Sequence, residues 1–143
     1  VDGTPVDIIA CDRQFRLPAA GPLALTGKFP TTAATGDRAV VGETEVSAQR
    51  AVRGVVTRSA EVFLVREGRV VTTPAVQDSA GVRLDLMPGK AERLPGEATL
   101  VSCQPGGGPV PAGTYELYAR VVLILDDGAR VESFGGPWPL QVR

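Results

Sequence analysis

The 143-residue sequence contains no histidine and no asparagine. Without histidine, the chain lacks the commonest general base and the commonest metal ligand. Without asparagine, it offers no N-glycosylation acceptor. Aromatic residues make up only 5%, so the core has first demand on each of them. Lysine occurs only at Lys28 and Lys90, and the remaining basic charge rests on 13 arginines. Abundant alanine, valine and glycine beside so little lysine is the compositional bias of a GC-rich bacterial genome. The longest purely aliphatic run, Val121 to Leu125, is far too short to span a bilayer, so no membrane insertion of this segment is expected. Fifteen basic against 16 acidic residues give a formal net charge of -1. That balance supplies no electrostatic footprint for nucleic acid or for an anionic membrane. The chain opens at Val1, which leads us to expect an upstream segment where any signal peptide or lipid anchor would lie.

There are 2 cysteines, Cys11 and Cys103, standing 92 positions apart. They have no C-x-x-C spacing, and two lone thiols are too few ligands for a structural metal. Two readings remain: a long-range disulfide, or two separate buried thiols. On the chain-entropy model, a bridge closing so long a loop stabilises by as much as about 4–5 kcal/mol. It would also place the protein outside the reducing cytosol.

Hydrophobic content of 43% and charged content of 22% are those of a globular chain of one domain. Twelve prolines and 17 glycines punctuate short segments rich in valine, threonine and leucine, the pattern of an all-β sandwich or barrel. No long stretch combines helical apolar spacing with a capping signal. Strands are expected near Pro22–Phe29 and Ala39–Ser47, with a hairpin of Glu61–Arg66 and Arg69–Thr73 turning at Glu67-Gly68. Val52 to Thr57 also favours a strand. Val82–Leu86 and Ala98–Cys103 follow, separated by the turn Met87-Pro88-Gly89. Thr114–Leu125 is the longest strand. Asp127-Gly128 returns it into Ala129–Phe134 through an expected type I′ turn, and a Gly135-Gly136-Pro137 break precedes Pro139–Val142. Val6–Ala10 is a candidate edge strand, and Gly106–Gly108 a flexible loop tip.

Alternation tells how these strands pack. Tyr115, Leu117, Ala119, Val121 and Leu123 share one face of the long strand, and Glu116, Tyr118 and Arg120 share the other. Val122 and Ile124 replace the polar face at its far end, which is expected to be covered on both sides. Val62 and Leu64 oppose Phe63 and Val65, marking another central strand. The face carrying Glu43 and Glu45 is expected to be solvated.

Pro111-Ala112-Gly113-Thr114-Tyr115 leads into the longest strand. Gly113 two positions before Tyr115 resembles the tyrosine corner of immunoglobulin-like sandwiches, where the hydroxyl bonds back to upstream backbone. Leu86-Met87-Pro88-Gly89 resembles the L-x-P-G turn before the fifth strand of bacterial immunoglobulin-like modules. Together with Phe63 to Val71, these motifs resemble secreted and lipoprotein modules of actinobacteria. They are also similar to adhesion-related domains of bacterial surfaces and to the intracellular proteinase-inhibitor domains of bacilli. The resemblance covers roughly residues 22–142 and implies an immunoglobulin-like antiparallel β-sandwich of seven to nine strands over 22–143, with residues 1–21 as an N-terminal arm packed on it. Leu117 stands where antibody-type domains carry their second sheet-bridging cysteine. No catalytic residue carries over.

The side chains offer little chemistry. Glu43 and Glu45 lie about 7 Å apart along a strand, a spacing used by glycoside hydrolases, but an ordinary solvated face explains them. Asp126-Asp127-Gly128 lacks the rest of a calcium loop, and a hairpin turn explains it. No serine lies in G-x-S-x-G, and without histidine a nucleophile would need Lys28 or Lys90 as its base. Gly106–Gly108 lacks the lysine and hydroxyl of a phosphate loop. Tyr118, Phe134 and Trp138 are candidate binding aromatics, with core packing as the plainer role. No catalytic residue, metal or cofactor is therefore expected. The chain reads as a non-catalytic structural or adhesion module, secreted or at the cell surface, meeting a protein or cell-wall partner. The alternatives are a proteinase inhibitor acting through Gly106–Pro111 or Ala48–Arg53, and a carbohydrate-binding module using Trp138 and Tyr118.

Overall fold

A computed structural model describes residues 9–74 and 81–143. Those residues form strands and no helix: β1 (Ala24–Lys28), β2 (Thr32–Ala33), β3 (Ala39–Ser47), β4 (Val52–Thr57), β5 (Ala60–Arg66), β6 (Arg69–Val70), β7 (Gly81–Leu86), β8 (Ala91–Thr99), β9 (Gly113–Leu125) and β10 (Arg130–Val142). The all-β expectation therefore holds. The expected edge strand over Val6–Ala10 falls largely outside the described residues, and Ile9 and Ala10 belong to no strand.

The strands form one curled, open sheet in the order β1-β3-β8-β5-β9-β10-β2. β4 pairs with β7 and with the far end of β9, and β6 pairs with β5. Every pairing is antiparallel except two short ones. β2 runs parallel to β10 at Gln141 and Val142, and β5 meets β8 in parallel only at Ala60↔Gly96 and Glu61↔Glu97. That two-residue junction joins the β1-β3-β8 strands to the rest of the curled sheet. β1 lies against β10, so that a β-carbon at Gly135 would lie 2.6 Å from the Leu25 Cβ. The concave side encloses the main core, with Val46, Leu94 and Ala98 from one half and Val62, Leu64, Leu117, Val121 and Leu140 from the other.

Period-two alternation accounts for the central strand. Tyr115, Leu117, Ala119, Val121 and Leu123 of β9 are all buried on the concave face. The opposite face departs from expectation at its far end, where Ile124 is 41% exposed. The covered part is the middle, around Tyr118 and Arg120. The described part of the N-terminal arm, from Ile9 onward, lies over this convex face and builds a second cluster of Ile9, Phe15, Phe63, Val65 and Val70, with Tyr118 and Phe134 packed against it. β5 is thus apolar on both faces because it is covered on both. Arg120, only 8% exposed, is tolerated beside this cluster because Glu61 receives its Nε at 2.6 Å and Glu132 lies 3.4 Å from its Nη1. A buried guanidinium without such partners would carry a penalty of several kcal/mol, on the order of the ion's own desolvation.

Three further details differ from the sequence reading. β8 occupies Ala91–Thr99 rather than Ala98–Cys103, pairing with β3 along its whole length from Ala39↔Thr99 to Ser47↔Ala91. Pro95 and the charged Glu92, Arg93 and Glu97 disguise it, because only Leu94, Gly96 and Ala98 face inward. Gly96 fits there as a site of close approach, since a β-carbon would sit 2.9 Å from the Val62 side chain and 3.1 Å from the Phe29 ring.

β10 runs through the expected break instead of stopping. Gly135 pairs with Ala119 and Trp138 with Leu117, so one extra residue bulges out beside the cis Gly136-Pro137 bond. The extra residue switches the parity of the strand. Ser133 and Gly135 face inward before it, and Leu140 and Val142 after it.

The expected type I′ geometry occurs at a different hairpin. Asp127 keeps negative φ, and Asp126–Gly128 form a three-residue loop with Leu125 and Ala129 bonded across it and Gly128 at φ 91°. Glu67 and Gly68, by contrast, both have positive φ (53° and 81°), which matches a two-residue type I′ turn between β5 and β6.

Candidate functional site

Polar, apolar and covalent features converge where the arm, the β5–β6 hairpin and the segment 100–115 meet. Cys11 and Cys103 are joined in a disulfide with a Cα–Cα distance of 5.8 Å. The amide of Asp12 donates to the Val70 carbonyl at 2.9 Å, and the amide of Cys103 donates to the Val71 carbonyl at 3.0 Å. The bridge therefore closes around Val70-Val71, holding the hairpin from both sides. Phe15 N–H to Gly68 O (2.8 Å) and Val70 N–H to Arg13 O (3.0 Å) extend this pairing along the arm.

Beyond Cys103 the chain turns tightly. Ser102 N–H bonds to Gly108 O at 2.8 Å, and Val110 N–H bonds to Leu100 O at 2.9 Å. The glycine tip is thus a closed hairpin loop anchored by buried Val110. Pro111 leads out of it, and its carbonyl accepts the Tyr115 hydroxyl at 2.5 Å. Gly113 lies in this corner at φ 155°. The Arg66 guanidinium sits over the Tyr115 ring, 5.3 Å from its centroid, and its Nη1 donates to the same hydroxyl oxygen at 3.4 Å. Between these groups is a cavity of about 230 Å³, walled by Val70, Val71, Pro109 and Val110 and edged by Asp12, Arg66, Ser102 and Gln104. Sequence reasoning found Cys11, Cys103, Gly113 and Tyr115 but not Arg66. Position 66 lies within the Phe63–Val71 resemblance but had no binding role there, and the β5–β9 register sets its side chain beside Tyr115.

The three candidate binding aromatics divide between two places. Tyr118 and Phe134 both lie against Phe15, at ring-centroid distances of 4.7 and 6.0 Å, and Tyr118 also stacks on Phe63 at 5.8 Å. Burial, followed by the charge and hydrogen bond of Glu116, holds the Tyr118 hydroxyl above the ordinary phenol range. Trp138 lies elsewhere. It stacks on Phe29 at 6.0 Å and packs so tightly over Gly27 that a β-carbon there would fall 2.5 Å from the indole.

The remaining candidates have structural partners. Glu43 and Glu45 face Arg93 at 3.9 and 3.8 Å, and Glu45 also meets Lys28 at 3.5 Å. Asp127 caps the β9–β10 loop by accepting the Ala129 amide at 2.8 Å. Asp126 pairs with Arg83 at 2.6 Å, and that guanidinium holds its carboxyl below the ordinary range. Lys90 donates its backbone amide to Met87 in the turn before β8. Among the loop candidates, Ala48 and Val52 are buried, while Gln49, Arg50 and Ala51 are exposed. Among the described residues, no three acidic or cysteine side chains gather in a group suited to a metal ion. No helix among them is long and apolar enough to cross a membrane.

No family model matches the chain, and no curated protein is significantly similar to it. Among solved structures, it is similar to a mutant β-glucosidase from Listeria innocua in complex with laminaribiose, with a TM-score of 0.46 and 14% identity. It is also similar to the sporulation control protein Spo0M from Bacillus subtilis, with a TM-score of 0.42 and 15% identity. The first likeness covers 86% of this chain and 16% of that one. The second covers 88% and 50%. The chain thus spans a small part of the glucosidase and half of the sporulation protein.

Proposed function

We propose that this chain is a non-catalytic interaction module of a bacterial secreted protein or lipoprotein, working outside the cytosol as an immunoglobulin-like sandwich. The observation that carries this reading is the Cys11–Cys103 disulfide. A bridge that fastens an arm across a sheet face is a feature of oxidising compartments. The sandwich reading rests on the pairing pattern. Among the described residues, β1-β3-β8 joins the rest of the curled sheet through two β5–β8 residue pairs, and residues from both halves contribute to the main core, which supports reading the halves as the two layers of a sandwich. The tyrosine corner at Gly113 and Tyr115 supports the same reading.

The structural engagement of several acidic side chains supports the non-catalytic part of the proposal. Glu43, Glu45, Glu61, Asp126 and Asp127 are each engaged in ion pairs or turn caps. A partner protein or cell-wall polymer would meet the loop end around the disulfide. A carbohydrate platform built from Tyr118 and Trp138 would need one shared surface, and these rings sit in separate clusters. Turnover measurements test the proposal. The purified domain is offered glycoside, ester and peptide substrates and then carried through successive columns. The expected result is no activity that follows the protein. Hydrolysis that tracks the protein peak through every column would overturn the non-catalytic reading.

A further inference from the structure

We infer that the cavity beside Arg66 is a binding site for the C-terminal carboxylate of a peptide ending in a small aliphatic residue. The inference deepens the interaction-module reading and rests on it.

The charge comes first. Arg66 is half-buried, fixed over the Tyr115 ring and bonded to the Tyr115 hydroxyl. That hydroxyl spends its own proton on Pro111 O, so the guanidinium is oriented by a chain of two hydrogen bonds. Yet it has no carboxylate partner among the described residues. Asp12, the acidic group at the cavity edge, is engaged by Arg69, whose Nη1 lies 3.8 Å from its carboxylate and donates to its carbonyl at 3.2 Å. A guanidinium presents five donors in a planar fork suited to bidentate carboxylate recognition. The one hydrogen bond of Arg66 among the described residues, to Tyr115, leaves most of that fork unused. Arg13 and Arg69 line a neighbouring pocket together with Asp12, so basic side chains outnumber the acidic one around this edge although the chain's net charge is -1.

The walls select among anions. Val70, Val71, Pro109 and Val110 give the cavity an apolar side, which an inorganic anion would leave unfilled. Ser102 and Gln104 edge it with groups that can pair with a peptide link. A volume of about 230 Å³ has room for a terminal residue and its neighbour. A chain end enters by one path, whereas an internal acidic side chain must bring the peptide in and out across the same mouth. The carboxylate would therefore meet Arg66, and the last side chain would lie on the valine–proline wall.

The test uses the oxidised chain as it is, labelled with nitrogen-15. It is titrated separately with acetyl-Ala-Val, with acetyl-Ala-Val amide, with acetate and with inorganic phosphate. The expected result is saturable shifts of the Gly107, Val110 and Tyr115 amides with the free-acid peptide, at least roughly tenfold tighter than with the amide. Acetate would shift the same amides more weakly. Arg66→Gln, checked for an unchanged fold by its amide spectrum, should erase the difference between acid and amide. Equal binding of acid and amide would overturn the inference, as would the absence of saturation or an unchanged preference in Arg66→Gln. A stronger response to phosphate than to the peptide would also contradict it. None of these outcomes bears on turnover, so failure here is separate from failure of the non-catalytic reading.

Discussion

The Tyr115 hydroxyl donates to the Pro111 carbonyl at 2.5 Å, four residues upstream, from a ring that is 1% exposed. This bond closes the turn that feeds β9, the strand on which β4, β5 and β10 all assemble. Tyr115→Phe keeps the ring and removes the bond, leaving a part-buried carbonyl unpaired. The expected loss is about 1–3 kcal/mol in urea unfolding with an unchanged m-value. A variant as stable as the parent would show that the corner is ornamental.

From the described part of the arm, Phe15 joins Ile9 in the second cluster and lies against the rings of Phe63, Tyr118 and Phe134. Phe15→Ala should destabilise by about 3 kcal/mol, the low end for a buried phenylalanine, because the tethered arm can partly collapse. Trp138 emission should not move, since that indole packs on Phe29 and the main core. A shift in Trp138 fluorescence in the folded variant would mean that the two clusters are coupled.

The Arg83–Asp126 pair predicts a pH effect of defined sign. Hydrogen bonding to the guanidinium lowers the folded-state carboxyl. Its contribution is therefore present above the ordinary carboxylate range and disappears as pH falls through the lowered value. Both groups are exposed, so the stability change is small. The carbon-13 titration of Asp126 is the sensitive measurement. Its midpoint should lie below the ordinary value and return toward it in Arg83→Gln. An unchanged midpoint would contradict the pairing.

Much of this fold is legible in the sequence because single strands announce themselves through period-two alternation. β3, β5, β7 and β9 lie close to where valine and leucine spacing puts them. What was hidden depended on partners. The sequence reading puts the strand at Ala98–Cys103, too late, because Pro95 and three charged residues interrupt β8, and pairing with β3 and the near approach of Val62 explain Gly96. The β10 bulge is invisible for a related reason. Gly136-Pro137 looks like a stop, yet β9 continues alongside and carries the strand past it. Ile124 was expected under cover and is exposed, since the arm lies over Phe63 and Tyr118 instead.

The candidate site divides along the same line. Local motifs marked Tyr115 and Gly113, and the count of two cysteines limited the pairing to one. Arg66 became visible only through register, because Val65 opposite Glu116 puts the next residue beside Tyr115.

The bridge between Cys11 and Cys103 is the central claim, because both the compartment and the closure of the arm depend on it. Its removal in Cys11→Ser/Cys103→Ser should cost up to about 4–5 kcal/mol. The most direct measurement is intact mass after alkylation of protein exported to an oxidising compartment and never exposed to reductant. The account predicts no alkyl group before reduction and two after it. Two alkylated thiols without reduction would contradict it.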